Sequence, residues 1–309
     1  MKAIRIHRYG GPEALVYEDA PRPVPAAGEV LIKVQATSVN PVDRFTRAGY
    51  LQGMANFTLP FIPGLDLAGL VDAVGEGVTT VAVGDALYGY SNMMRQGAYA
   101  EYALVSAGEI APKPTSVDFE TAASVPLVGL TAWQGLFNVA GLQPGQTVLI
   151  HGAGGGVGSL AVQFARAKGA RVLATAGSDK LALLRDLGVA EAIDYTTTRF
   201  EDVARDVDVV FDTVGGELTE RSFAVLKRGG IYVTPAGQPD AEAAAARGVR
   251  ASGMMAQANP ADLAEIASLI DAGTVKPVVS TVLPLAQARQ AHELLEAGHM
   301  RGKIVLRVA

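Results

Sequence analysis

The sequence predicts an α/β protein in two parts: a β-rich module, and a doubly wound parallel sheet covered by helices on both faces. Three observations carry this reading. The chain has 309 residues, a length that suits two domains at about 150 residues each. Up to about residue 120, short alternating or apolar runs are separated by glycines. Beyond that point continuous apolar runs alternate with helical segments, the pattern of strands buried on both faces.

In the first part, residues 29–34 (EVLIKV) and 98–105 (AYAEYALV) alternate as half-buried strands do. Between them Gly64, Gly69, Gly75, Gly77, Gly84, Gly89 and Gly97 punctuate runs such as 67–74, which suggests a small barrel or sandwich. Pro21, Pro23, Pro25, Pro41, Pro60 and Pro63 hold the intervening loops extended. In the second part, VLIH (148–151) precedes a glycine cluster and a helix through Lys168. RVLAT (171–175) precedes a helix through Leu187, and DVVFDTV (208–214) one through Leu226. GGIYVTP (229–235) and VRASGMM (249–255) follow as strands, with a surface turn or short helix at 243–246. Asn259-Pro260 starts a helix that Gly273 ends; a second helix, 285–297, ends at Gly298; KIVLRV (303–308) is a strand. This last piece is too small for a domain and is expected to complete the first. The expected division is 1–122 with 259–309, and 123–258.

Composition narrows the function classes. Lys+Arg 26 against Asp+Glu 31 gives a net charge of −5, the wrong sign for a general nucleic-acid binder. No run reaches the ~18–20 apolar residues of a membrane span. The N-terminus, MKAIRIHRYGG, is charged and alternating without an apolar core, so no export signal and a cytoplasmic location are expected. Cysteine is absent, which removes disulfides, thiolate nucleophiles and thiolate metal sites. The 35 glycines are about 11% of the chain against a usual ~7%, so many tight turns or close backbone approaches are expected.

The strongest chemical signal is VLIHGAGGGVG (148–158). It follows an apolar strand and opens a helix, the setting in which glycines let backbone approach a pyrophosphate. The first amides of the helix and its positive dipole end then favour the phosphates. The candidate binding residues are Gly152, Ala153, Gly154, Gly155, Gly156, Val157 and Gly158. A lysine-bearing phosphate loop is excluded, because no Gly-Lys-Ser/Thr follows. The next strand ends Ala174-Thr175-Ala176-Gly177-Ser178-Asp179-Lys180. Ala176 stands where NAD sites carry the acid that accepts the ribose 2′-OH. Ser178 can donate a hydroxyl and Lys180 a charge to a 2′-phosphate, so NADPH is the expected cofactor. Ser178 can equally cap the helix and Lys180 be a solvated charge.

Taken together these residues resemble a family. The chain is similar to the zinc-free quinone oxidoreductase (zeta-crystallin-like) branch of the medium-chain dehydrogenase/reductase superfamily. The resemblance rests on SVNPVD (38–43), PGLDLAGLVDAVG (63–75), VGDALYG (83–89), GAYAEY (97–102), LTAW (130–133), HGAGGGVG (151–158) and DVVFDTVGG (208–216). It implies a chaperonin-10-like (GroES-like) β module in two sequence pieces, a Rossmann domain, and an active site in the cleft between them. In zinc members a Gly-His-Glu segment supplies a metal ligand; here that segment is Gly64-Leu65-Asp66, and no metal is expected. His7, His151, His292 and His299 show no ligand spacing.

Without a Lewis acid to stabilise an alkoxide, the expected chemistry is hydride delivery to a quinone or α,β-unsaturated carbonyl. The resemblance implies that Asn40 and Tyr50 face the substrate, Thr131 the nicotinamide ribose, and Tyr195, with Lys180, the 2′-phosphate. Asn40 can also be a turn residue before proline. Tyr50 directly follows Gly49, one residue short of the family's tyrosine position, and can be an ordinary loop aromatic. Trp133 is read as core, Asp66 and Asp85 as turn residues, and Asp208 and Asp212 as flanking a buried strand with no acid–base role. An enoyl-thioester reductase and a non-catalytic NADPH-binding protein are the alternatives. A homodimer joined at the strand 249–255 is expected.

Overall fold

The structure is a computed structural model, described here for residues 1–53, 57–298 and 300–309. The chain forms two compact units. The first comprises Met1–Leu127, Ala258–Asp271 and Val278–Ala309; the second comprises Val128–Gln257 and Ala272–Pro277.

The chain enters the first unit through the hairpin β1 (Lys2–Ile6) and β2 (Leu15–Asp19). Then come β3 (Glu29–Ser38), α1 (Pro41–Ala48), β4 (Asp66–Val74), β5 (Ala86–Tyr90), β6 (Tyr102–Ser106), β7 (Ile110–Pro112) and α2 (Phe119–Ala123). Helix α3 (Pro126–Trp133) leads into the second unit and continues as a π-helical turn, Gln134–Val139. The second unit runs β8 (Thr147–His151), α4 (Gly156–Ala167), β9 (Arg171–Ala176), α5 (Leu181–Asp186), β10 (Glu191–Asp194) and α6 (Phe200–Val203). It continues with β11 (Val207–Asp212), α7 (Leu218–Phe223), β12 (Leu226–Thr234), α8 (Ala241–Ala246) and β13 (Arg250–Gly253). The chain returns to the first unit as α9 (Pro260–Asp271), β14 (Val279–Pro284), α10 (Ala288–Ala297) and β15 (Lys303–Arg307).

The second unit's six strands are all parallel, in the order β10-β9-β8-β11-β12-β13. Counted from β8 this is the 3-2-1-4-5-6 order of the doubly wound dinucleotide fold, whose crevice opens beside the first strand's carboxyl end. In the first unit a sheet ordered β14-β15-β3-β4-β5-β7, with β6 added to β3, surrounds a core of Val30, Ile32, Val34, Leu67, Val71 and Leu87. The α/β class is as the sequence predicts. No helix among the described residues is long and apolar enough to cross a membrane.

Several elements differ from the expectation for identifiable reasons. The strand expected at 98–105 begins only at Tyr102, because Ala98 and Tyr99 donate instead to the carbonyls of Gly64 and Pro63. The helix expected through Leu226 stops at Phe223, since Leu226 is already paired with Val207 in the sheet. The C-terminal piece holds a second strand, β14, parallel to β15; its alternating side chains are half-buried at best, so no apolar run marks it. Asp66 is a fully buried strand residue rather than a turn residue. Asp85 does fix a turn, accepting from the Ala82 amide at 2.8 Å. Trp133 is buried against Phe137 and Phe164.

A buried polar chain ties α1 to α10. Arg47, with 2% of its surface exposed, donates to His292 Nδ1 at 3.1 Å and to the Gly10 carbonyl, and pairs with Glu296. A guanidinium cannot accept, so His292 carries its proton on Nε2 and offers it to Tyr99 Oη at 3.2 Å. Tyr99 then donates to Asp43 Oδ2 at 3.2 Å. Burial pushes the Asp43 carboxyl up to about 7, with Asp66 adding to the rise. Burial and the facing Arg47 push His292 down to about 3.

These shifts act oppositely on stability. A carboxyl raised above its unfolded value contributes stability that is present below about pH 4 and lost as pH rises through about 7. A histidine held neutral contributes stability that grows as pH rises from about 3 towards its unfolded value. Asp43→Asn removes only the first effect. Its unfolding midpoint in urea is therefore expected to climb more steeply between pH 5 and pH 7 than the parent's (the window ~4–7 in which the raised carboxyl titrates). Parallel profiles would contradict the assignment.

Candidate functional site

The glycine cluster lies at the carboxyl end of β8, where the strand order reverses between β9 and β11. Gly152 has φ +71°, and a Cβ there would meet Thr213 Oγ1 at 2.3 Å. A Cβ on Gly158 would meet the Gly152 carbonyl oxygen at 2.4 Å and Ala153 Cα at 2.6 Å. The first glycine thus makes the tight turn and the last lets the helix pack on it. Gly155 is the N-cap of α4 and supplies no side-chain cap, so the amides of Gly156, Val157 and Gly158 point outward at the helix's positive end. Ala153 is anchored by its amide on the Thr175 carbonyl at 3.1 Å. The result is a backbone cradle that fits a pyrophosphate.

A second turn walls this cradle. Asp212, at the end of β11, is fully buried. Its Oδ1 accepts from the amides of Val214 (2.8 Å) and Gly215 (3.1 Å), and its Oδ2 accepts from Tyr232 Oη at 2.7 Å. The turn is thereby pinned so that Thr213 donates to the His151 carbonyl at 2.9 Å and stands against Gly152. His151 itself faces inward, between Thr175 Oγ1 (2.9 Å) and Ser222 Oγ (3.2 Å), and burial pushes it down to about 4. It is a neutral structural residue.

Beside the cradle, β9 ends at the buried Ala176, followed by a single 3₁₀ turn, Ser178–Lys180. The Lys180 methylenes lie over Gly154, where a Cβ would be 2.5 Å from Lys180 Cδ. Tyr195 is 64% exposed, with its hydroxyl 3.4 Å from where a Gly177 Cβ would sit. Ser178 is exposed, and it donates to Asp194 Oδ2 at 2.5 Å. The structure therefore brings together residues 152–158, Ser178, Lys180 and Tyr195; Thr131 lies elsewhere in the same unit, on α3, and is 7% exposed. Sequence reasoning passed over Asp194, Thr196 and Thr213, whose neighbours in space come from other strands.

Asn40 and Tyr50 belong to the first unit. Asn40 is fully buried. It is the N-cap of α1, donates to Asp66 Oδ2 at 2.8 Å, and accepts from the buried ammonium of Lys303. Lys303 also donates to the Val39 carbonyl at 2.9 Å; burial pushes its ammonium down while Asp66 and Asp43 hold it up. Tyr50 follows the left-handed Gly49 cap and is 71% exposed, 6.1 Å from the Phe45 ring. The two residues stand at opposite ends of a helix of 8 residues, roughly 12 Å long. Residues 54–56 of the loop expected to line the site, and His299, lie outside the described residues. Among the described residues no three histidine, aspartate or glutamate side chains gather as metal ligands. Leu65, at the position the resemblance gives to a metal-ligating histidine, is buried.

The glycine geometry separates two neighbouring substitutions. Gly158→Ala drives a Cβ into backbone and is expected to weaken dinucleotide binding about tenfold or more, a loss of about 1.4 kcal/mol. At Gly155 the nearest atom to a Cβ is 3.4 Å away, so Gly155→Ala should bind within about twofold of the parent, well under that step. Titration of NADPH fluorescence reads both; equal losses would refute the cradle geometry.

Comparison with known proteins places this arrangement. The Alcohol dehydrogenase GroES-like domain family matches residues 26–115, and the Zinc-binding dehydrogenase family matches residues 187–306. Quinone oxidoreductase of Mus musculus is 34% identical over 327 residues, covering 99% of this chain and 97% of its own. The chloroplastic NADPH-dependent alkenal/one oxidoreductase of Arabidopsis thaliana is 36% identical, covering 99% of this chain and 79% of its own. The crystal structure of Escherichia coli quinone oxidoreductase complexed with NADPH superposes with a TM-score of 0.90 at 29% identity, covering 100% of both chains. The chain belongs to the medium-chain dehydrogenase/reductase superfamily, in its zinc-independent quinone oxidoreductase branch.

Proposed function

We propose that this protein is an NADPH-dependent, metal-free reductase of quinones or α,β-unsaturated carbonyls. The observation that carries the reading is the backbone cradle at the switch point of the parallel sheet, with Lys180 laid across it. The named activities of the mouse and plant relatives support the acceptor class. The absence of cysteine and the apolar Leu65 support a reaction that calls on no metal. In this reading residues 123–258 bind the dinucleotide, and residues 1–122 with 259–309 bind the acceptor.

The dinucleotide, when bound, supplies the hydride; the chain positions and shields. The outward amides of residues 156–158 and the turn 152–155 hold the pyrophosphate at the helix N-terminus. Lys180, Ser178 and Tyr195 hold the adenosine end, and Thr131 holds the nicotinamide ribose. Tyr50 positions the acceptor, and Asn40, fully buried and fixed by Asp66 and Lys303, holds the start of α1 in place rather than touching the acceptor. Such placement converts a bimolecular encounter into one of fixed geometry.

Incubation with NADPH and, separately, 1,4-benzoquinone, 9,10-phenanthrenequinone, 2-hexenal or crotonyl-CoA tests the reading by loss of nicotinamide absorbance. Turnover with a quinone or the enal, faster with NADPH than NADH, is expected. Turnover with crotonyl-CoA alone would identify an enoyl-thioester reductase, and none above background with any acceptor a non-catalytic binder.

We further propose a homodimer through β13. This strand is the edge of the parallel sheet, with half-buried side chains and an exposed Met255 beside it. Light scattering should return twice the 32.0 kDa chain mass; the single-chain mass would exclude it.

A further inference from the structure

Asp194 ends β10 and is the direct Cα partner of Ala176 at the end of β9. Parallel sheets that bind NAD place an acid at the β9 position, where it accepts from the ribose 2′-OH. Here the acid stands one strand further out, beside that position. Its Oδ2 accepts from Ser178 Oγ at 2.5 Å, and its Oδ1 from the Thr196 amide at 2.9 Å and Thr196 Oγ1 at 2.7 Å. These bonds, Ser178 first, hold the carboxyl below the usual aspartate range, so it is an anion at neutral pH.

The same shelf carries a second carboxylate. Asp179 Oδ1 lies 3.1 Å from where a Cβ on Gly177 would sit, close to the Tyr195 hydroxyl. Two carboxylates therefore surround the shelf whose only cation among these residues is Lys180. The Ser178 proton is already committed to Asp194, which leaves that hydroxyl as an acceptor towards anything placed above it. A 2′-phosphate brings between one and two negative charges to this shelf. A 2′-hydroxyl brings none and can donate to a carboxylate.

We infer that Asp194 sets the cofactor specificity of this protein, holding the preference for NADPH down and admitting NADH. The inference rests on the dinucleotide reading proposed above. Lys180 attracts the 2′-phosphate and Asp194 repels it; the preference is the balance of the two.

Equilibrium titration of NADPH and NADH fluorescence, with 2′,5′-ADP and 5′-ADP as competitors, tests it without turnover. Asp194→Asn is expected to tighten NADPH and 2′,5′-ADP about fivefold or more, and to move NADH and 5′-ADP by less than about twofold, since only the 2′-phosphate carries the extra charge. The gain should shrink at high salt, as a screened charge effect must. Ser178→Ala, which keeps the Asp194 charge, should not reproduce the gain, and Lys180→Ala should weaken NADPH selectively. Asp194→Ser serves if the asparagine variant loses thermal stability. An unchanged or lowered NADPH-to-NADH affinity ratio on removal of the Asp194 charge overturns the inference. Failure of the parent protein to bind either dinucleotide overturns the cofactor reading instead.

Discussion

Asp66 is a carboxylate with no exposed surface, and the first unit is organised around satisfying it. Its Oδ1 accepts from the Leu127 amide at 2.7 Å. Its Oδ2 accepts from Ser38 Oγ at 2.5 Å and Asn40 Nδ2 at 2.8 Å, with the Lys303 ammonium at 3.5 Å. A buried charge left without such partners costs several kcal/mol. The end of β3, the cap of α1, the start of α3 and the first residue of β15 must therefore be in place together. Asn40 owes its fixed orientation to this point.

The second unit solves its backbone problem with the same kind of group. Asp212 spends one oxygen on two turn amides and the other on a tyrosine hydroxyl, which burial keeps protonated. The turn it pins presses Thr213 against Gly152, where any side chain would collide. Neither aspartate has any exposed surface from which to reach a substrate. Both shape main chain, and the backbone amides at the start of α4 are what an anion would meet.

What the sequence shows about this molecule follows the range of each interaction. The parallel strands and the cradle are written in contiguous residues: an apolar run, a glycine turn, a helix start. Residues 148–158 could be read for that reason. The strand β14 could not, because its alternation stays half-exposed and its partner β15 begins 24 residues after it starts. Lys303 looked like the ordinary first residue of a strand; its burial beside Asp66 depends on a contact across 237 residues. Asp194 stands next to Tyr195 in the chain, yet its bond to Ser178 exists only because β9 and β10 lie side by side. Asn40 was legible as a turn residue before proline, whereas its role as the cap of α1 and its two buried polar partners were not.

The pairing of Lys303 with Asp66 also dictates an order of events during synthesis. The second unit is nearly continuous in sequence and can assemble its sheet as soon as its own strands have emerged, as domains made on the ribosome generally do. The first unit, although begun earlier, keeps an acid without its counter-ion and β3 without its β15 neighbour until residue 303 has been made. Closing so long a loop is slow. The part of the chain translated first is thus the last to become native, and in the interval it offers an open strand edge to whatever chaperone or sister chain is at hand.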